Sequence, residues 1–576
     1  MRRLNNTCVR AFLALICCVS TTVFGQTPEQ AQAPQQAQAG STPADDSLRF
    51  DIRRFSFSGA TLISPERLTE ATRQFTGDKR QFSDVQRALE VIERMYSESG
   101  YSAVQVVLPE QELEKGDIRF QITEAKIGRV IVEGNKFFDE ANIRASVPAL
   151  VPGKSPNIND IAKNLRLAND SPAKQSNVLL RSAQEEATVD AVVRVVDEKF
   201  ERYSVSLDNT GQVTPIGRFR LGVGYQNSNL RNSDHILTLQ YVGAPHDEVH
   251  TNRLALVPSS RVMVLGLGYK IPLYASGDAL EFTAGYSNVG SGTVANLFTI
   301  TGAGTVLGVR YTHNLDRLGD YEHRVSFALD ERAYHNKGVR PLASTTQIIP
   351  DVTVHPVSVI YSGQLRSQDS ETGGTIAFSQ NIRGGNDGDL GAFCLSRSST
   401  VGDQFECANG RYAIWRWGFN HNRALSGDWQ WRIGINGQIT RDMLISGEQY
   451  GVGGADSVRG FLEREITNDQ GYRGTTELYT PDFGGYFTAV DGLRVRALAF
   501  YDWAGVKRNR PGPGEAHAAH VGSMGLGLRV ARGNNLTLRL DLAWVTDEGA
   551  RPNQNGVSPN QGVGDGRAHA SLSYVF

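Results

Sequence analysis

Arg567-Ala568-His569-Ala570-Ser571-Leu572-Ser573-Tyr574-Val575-Phe576 closes the chain, and its polarity has a period of two. Ala568, Ala570, Leu572, Tyr574 and Phe576 share one face; Arg567, His569, Ser571 and Ser573 share the other. A helix would space its apolar residues by three and four, so this is a strand with one greasy side. The pattern recurs upstream. Leu536, Leu538, Leu540 and Leu542 alternate with Thr537, Arg539 and Asp541; Trp429, Trp431, Ile433 and Ile435 alternate with Gln430, Arg432, Gly434 and Asn436. A soluble sandwich also alternates. Here the segments run to about ten residues, one face is charged and aromatics gather at the ends, as in a transmembrane barrel.

Working outward, period two begins near Phe200 and lasts to the end of the chain. About sixteen such segments are counted, an even number as bacterial barrels require. The connections test the count. If the first strand rises from the periplasm at Tyr203, alternate turns should be short and the others long. Ala275–Asp278, Leu425–Asp428 and Arg532–Asn534 are short; Gly384–Gly410, Leu444–Gly471, Gly505–Ala518 and Asp547–Gly566 are long and fall on the outer side. Cys394 and Cys407 then share an outer loop, where an oxidising compartment favours a disulfide between them.

Composition agrees with export to a membrane. The 576 residues carry a net charge of −2, which offers no basic field for nucleic acid. Arg2, Arg3 and Arg10 precede the apolar stretch Ala11–Phe24, and Val23 and Gly25 sit before Gln26 as at a cleavage site, so residues 1–25 read as a secretory signal. The apolar run Val262–Tyr274 carries Lys270 and Pro272 and is too short for a membrane helix. No zinc-protease, dinucleotide or nucleophile-elbow pattern appears; no cofactor, metal or enzymatic activity is expected.

Residues 26–47 are rich in Gln, Ala and Pro and read as a flexible lead. Two mixed units follow, 48–125 and 126–199. Arg54-Phe55-Ser56-Phe57-Ser58-Gly59 opens the first and Arg129-Val130-Ile131-Val132-Glu133-Gly134 the second, an internal repeat. In the first, Pro65 starts a helix after Ser64, and Val85, Ala88, Leu89, Ile92, Met95 and Tyr96 lie on one helical face between Ser83 as cap and Gly100 as stop. In the second, Ile158, Ile161 and Leu165 mark an amphipathic helix. Two strands close each unit, giving the order β-α-α-β-β twice.

The most specific stretch is Gly453-Gly454-Ala455-Asp456-Ser457-Val458-Arg459-Gly460-Phe461, in the loop 441–471 after the eleventh barrel strand. On the thirteenth, Leu493, Val495, Ala497 and Ala499 should face lipid, so Asp502 shares the inward parity of Arg494 and Arg496. Asp502 can therefore meet Arg459 inside the barrel; Glu477, inward on the twelfth strand, is a rival partner. Arg416, Arg432, Arg539 and Arg567 are also inward by this count, and a charged, wet wall offers no apolar surface to an extended chain.

Together these features resemble the two-partner secretion transporters of the hemolysin secretion/activation protein family. The tandem units resemble polypeptide-transport-associated (POTRA) domains. Val458-Arg459-Gly460-Phe461 is similar to the Val-Arg-Gly-Phe/Tyr signature of the superfamily, whose loop folds back into the barrel and whose arginine contacts an acid on the inner wall. The partner motif is Phe-x-Asp-x-Gly; here Phe500-Tyr501-Asp502-Trp503-Ala504-Gly505 displaces the glycine by one. Pro152–Asn157, Asn169–Pro172 and Asp208-Asn209-Thr210-Gly211 also fit the family. Phe576 resembles the terminal aromatic read by barrel-assembly machinery. Many members carry a helix that plugs the pore; Pro34 and Pro43 leave room for at most a short one.

The resemblance implies an outer-membrane barrel with periplasmic POTRA domains that recognises an unfolded exoprotein, of the adhesin or hemolysin kind, and passes it to the cell surface. Alternatives are a barrel-assembly factor, which usually has three or more POTRA units, and a porin-like channel, which explains neither the repeats nor the Arg459 loop.

Overall fold

The computed structural model describes residues 49–112, 116–211, 219–244, 263–288, 303–335, 350–401, 404–487, 491–512, 515–549 and 562–576, together with the backbone of 292–294 and 298–300. The signal at 1–25 and the lead at 26–47 lie outside these residues.

Among the described residues the barrel is closed by seventeen hydrogen-bonded segments; two of them, Val352–Val354 and Pro356–Arg366, both pair with Tyr321–Tyr334 and make one strand interrupted at His355, so the barrel has sixteen strands. The first is Glu201–Asp208 and the last Gly566–Val575; every neighbouring pair is antiparallel. Closure leaves no edge with unpaired backbone groups in the hydrocarbon, which is the condition for spanning a membrane with strands. The outward face is apolar and exposed: Leu239, Leu307, Phe327, Leu526 and Leu542 all point away from the lumen. Aromatics gather near the rims, with Tyr203 against Tyr225 and Tyr574 against Phe576 on the periplasmic side. The ring closes through Phe576, whose backbone N–H donates to Tyr203 O at 2.8 Å. On the outer side Asn209 bridges the same seam, donating to Ala568 O and accepting from the Ala570 N–H, both at 2.9 Å.

The two units before the barrel each pack helices on a three-stranded sheet. In the first, Arg54–Ser58 runs parallel to Asp117–Glu124, which pairs antiparallel with Val104–Val107. In the second, Lys126–Glu133, Thr188–Asp197 and Lys174–Ser182 repeat this arrangement. Buried Val85, Ala88, Ile92 and Tyr96 seat the long helix Phe82–Glu98 on the first sheet. Two details differ from the sequence reading. The cap of that helix is Gln81, not Ser83. Gln81 leaves the strand Gly77–Gln81, paired with Arg49–Ile52, and forms a reciprocal capping box with Asp84. In the second unit, of the expected face Ile158, Ile161 and Leu165, Ile161 is buried and Leu165 packs half-buried on the same core, whereas Ile158 is exposed; Asn164, Leu167 and Ala168 of helix Ile158–Ala168 are buried as well. Asn164 serves the barrel: its Nδ2 donates to Tyr274 O at 2.7 Å.

That contact belongs to a joint between the second unit and the periplasmic turns of the barrel at 229–234, Tyr274 and 315–316. Arg166 donates to Leu315 O at 3.1 Å and Lys163 pairs with Asp316 at 3.0 Å. At its centre Lys174 Nζ meets Asp234 at 2.5 Å, with side-chain exposures of 0% and 2%. Asn142 accepts from Lys174 and donates to Asp234, and Tyr274 Oη donates to Asp234 at 2.6 Å. Burial pulls the Lys174 ammonium down from its usual range, against the opposing pull of Asp234. Breaking a buried pair by removing one partner costs about 3–5 kcal/mol. Lys174→Met should therefore loosen the second unit: limited proteolysis will cut at the 197–201 junction faster, while the barrel keeps its heat-modifiable migration. Adding Asp234→Leu should restore much of the protection.

Candidate functional site

The stretch between the eleventh strand, Gln430–Ile439, and the twelfth, Gln470–Tyr479, turns into the lumen rather than out to solvent. It can do so because it is glycine-rich and carries its own apolar and cationic groups. Gly453 has φ +104°, and a Cβ there would lie 2.5 Å from Leu462 O, so no other residue fits this bend. Val458 and Phe461 are buried against Ala504, Val506, Ala519, Val521 and Val545 of strands thirteen, Leu493–Lys507, fourteen, Ala518–Arg532, and fifteen, Leu536–Asp547. The inner wall is thus not uniformly polar, as the alternation implied. It has an apolar patch, and the loop covers it.

Arg459 lies between these two side chains and is 3% exposed. Its guanidinium grips Asp502 with two bonds, Nε and Nη2, each 2.7 Å, and its backbone N–H donates to the same carboxylate at 3.1 Å. Nη1 reaches Glu477 at 2.8 Å and Asp541 at 3.5 Å. Nη2 also donates to Thr475 Oγ1, at 3.1 Å. The cation sits over the Phe500 ring at 3.4 Å. Next to it the Gly460 N–H donates to His569 Nε2 at 3.1 Å. Five donors in a planar fork let arginine serve several acids at once, so Asp502 and Glu477 are joint partners rather than rivals. Ala504, where the partner motif has glycine, is buried in the apolar patch and its methyl packs there. Asp541, Thr475 and His569 were not singled out from sequence, although inward parity on strands twelve, fifteen and sixteen marks all three.

Of the six inward arginines, Arg416, Arg496 and Arg539 are committed to acids. Arg416 pairs with Glu448 at 3.1 Å, and Arg539 with Asp541 at 2.7 Å and Asp456 at 2.6 Å. Arg496 sits at the periplasmic rim, where it ties Asp428 of one turn to Thr480 O of the next; its role is to brace the turns, not to line the pore. Arg432 lies 4.3 Å over the Tyr479 ring. Arg494 is exposed at the periplasmic end of the thirteenth strand, and Arg567 stands at the outer end of the sixteenth. The wall is therefore a mosaic of ion pairs rather than a bare cationic lining.

At the outer end, Cys394 and Cys407 are joined by a disulfide that staples a small lobe, helix Leu390–Ser396 and the hairpin Ser398–Val401/Gln404–Cys407. Phe393 and Tyr412 of this loop are fully buried against Val352, Val354, Leu444 and Ile445. Arg397 pairs with Asp469, the residue just before the twelfth strand. No cluster of metal-ligating side chains occurs among the described residues.

Comparison with known proteins gives one consistent answer. The profile of the haemolysin secretion/activation protein family ShlB/FhaC/HecB matches residues 188–530, and that of the ShlB-type POTRA domain matches 50–125. The heme/hemopexin transporter protein HuxB of Haemophilus influenzae is 21% identical over 92% of this chain and 88% of its own length. The solved structure of CdiB from Escherichia coli superposes with a TM-score of 0.69 at 17% identity, covering 94% of each chain. CdiB from Acinetobacter baumannii gives 0.65 at 14% identity, covering 99% of this chain and 97% of its own.

Proposed function

The chain belongs to the haemolysin secretion/activation protein family, as an outer-membrane transporter of two-partner secretion, and we propose that its cargo is one large exoprotein of the adhesin or hemolysin kind. The observation that carries this reading is the Arg459 loop, held inside a barrel whose periplasmic end is joined to two small α/β units. A porin needs neither. We read 48–125 and 126–199 as the two POTRA domains, with the sheet edges that flank each unit as docking strands for an unfolded chain; main-chain pairing tolerates variable sequence. No nucleotide is at hand in the outer membrane, so folding of the cargo outside supplies the direction. During biogenesis Phe576, exposed beside the seam, serves as the signal for the barrel-assembly machinery, and the apolar outer face meets the lipid.

The test is to look for a gene for a large exoprotein beside that of this chain and to co-express the two in a heterologous Gram-negative host. The exoprotein should reach the medium only when the transporter is present. Equal release without it would overturn the reading. A general fall in surface barrel proteins when the chain is depleted would instead favour a barrel-assembly factor.

A further inference from the structure

We propose that Glu448 is a second anchor of the in-folding loop, which makes the loop a bar fixed to two separate stretches of the inner wall. The inference rests on the transport reading above and adds a positioning residue to it.

The carboxylate of Glu448 is 1% exposed and lies at the start of the loop's inward path. It accepts from Arg332 Nη1 at 3.0 Å, from Arg416 Nη2 at 3.1 Å and from Tyr334 Oη at 2.7 Å. Arg332 and Tyr334 belong to the seventh strand, Tyr321–Tyr334, and Arg416 to the tenth, Ala413–Ala424. Gln438 of the eleventh strand donates to Glu448 O at 2.9 Å and fixes its backbone as well. The approach is close: at Gly447 a Cβ would stand 2.5 Å from the Tyr334 ring, so only glycine lets the chain lie on that wall.

Eleven residues further on, Arg459 is held by Glu477, Asp502 and Asp541 on strands twelve, thirteen and fifteen, and Gly460 by His569 on strand sixteen. The path between the two anchors follows the inner wall: Tyr450 Oη donates to Asn436 Oδ1 of the eleventh strand at 2.6 Å, and Val452 is buried in the apolar patch with Val458 and Phe461. Releasing only the Arg459 end would leave the loop tethered by three bonds to strands seven and ten. Passage of an extended chain requires both ends to be free, or the whole bar to swing about the anchor that remains. Arg416 is thus an anchor of the bar rather than part of the pore lining.

The purified full chain in planar bilayers tests this without any cargo. Glu448→Ala should raise the time spent in conducting states at least about tenfold, a shift of about 1.4 kcal/mol. Glu448→Asp, which keeps the charge, should fall between the two. If Glu448→Ala fails to fold, Arg416→Gln and Arg332→Gln each remove one cation and decide the question. Wild-type conductance in every heat-modifiable variant, or a rise confined to variants of Arg459, would overturn the proposal. Failure of the wild type to secrete any exoprotein would count against the transport reading alone, since conductance is read independently.

Discussion

Arg459→Ala is expected to leave the barrel folded and inserted while lowering secretion by roughly two orders of magnitude, the factor that about 3 kcal/mol of lost anchoring implies. The substitution removes both bonds to Asp502, the bond to Glu477 and the cation over Phe500. Asp541 keeps Arg529 and Arg539, at 2.9 and 2.7 Å, so the fifteenth strand is not left with an uncompensated acid. Asp502 is different: it is fully buried, and among the described residues its only ion pair is with Arg459. The tip should therefore leave its seat and expose Val458 and Phe461 to the lumen. Sixteen strands of ladder hydrogen bonds do not depend on that seat, so heat-modifiable migration should persist. Arg459→Lys is the sharper probe, because a lysine carries the charge but not the fork. It should recover less than half of the lost secretion. Full activity of Arg459→Ala, assayed as exoprotein in the medium, would remove the tip from the mechanism.

Much of this architecture could be read from residue order because a barrel wall is periodic. The alternation in Leu536–Leu542 and Ala568–Phe576 assigns each residue a face, and the same parity put Asp502 inside beside Arg494 and Arg496. Parity says nothing about height along the axis or about which strands face each other. Arg496 was inward yet belongs to the rim, and Arg416 was inward yet holds a loop residue 32 positions away. Arg332 and Tyr334 share one face of the seventh strand, but no spacing links them to Glu448, which a loop brings to them from 114 positions away. Nor could alternation show that Ala504, Val506 and Val521 form an apolar patch under Val458 and Phe461. In the second α/β unit, helical period selected Ile158, which is exposed, and missed Asn164, which reaches the barrel turn at Tyr274. In each case a long-range partner overrode a correct local rule.

Removal of residues 48–199 should abolish secretion entirely and leave a barrel whose conductance is no lower than that of the full chain. The two units bury their own cores, Ile118, Phe120 and Ile92 in one and Ile143, Ala191 and Val193 in the other; from the barrel side Phe200 packs against the second, edge-on to Phe138. The other contacts of the joint are polar: Lys174 with Asp234, Asn142 with Asn229, and Asn164 with Tyr274 O. Deletion exposes Asp234, Asn229 and Tyr274 to water, which solvates them as well as the lost partners did, so the turns are not left with buried unpaired groups. The barrel should insert and show its heat-modifiable band. Both anchors of the bar, Glu448 and Arg459, bind barrel strands alone, so the closed state should survive as well. Cargo capture is then the only step removed. Bilayer recordings on the truncated chain, set beside the medium of the co-expressing host, separate the two. Residual secretion above about a tenth of wild type would mean that the cargo finds the lumen without strand addition to the units.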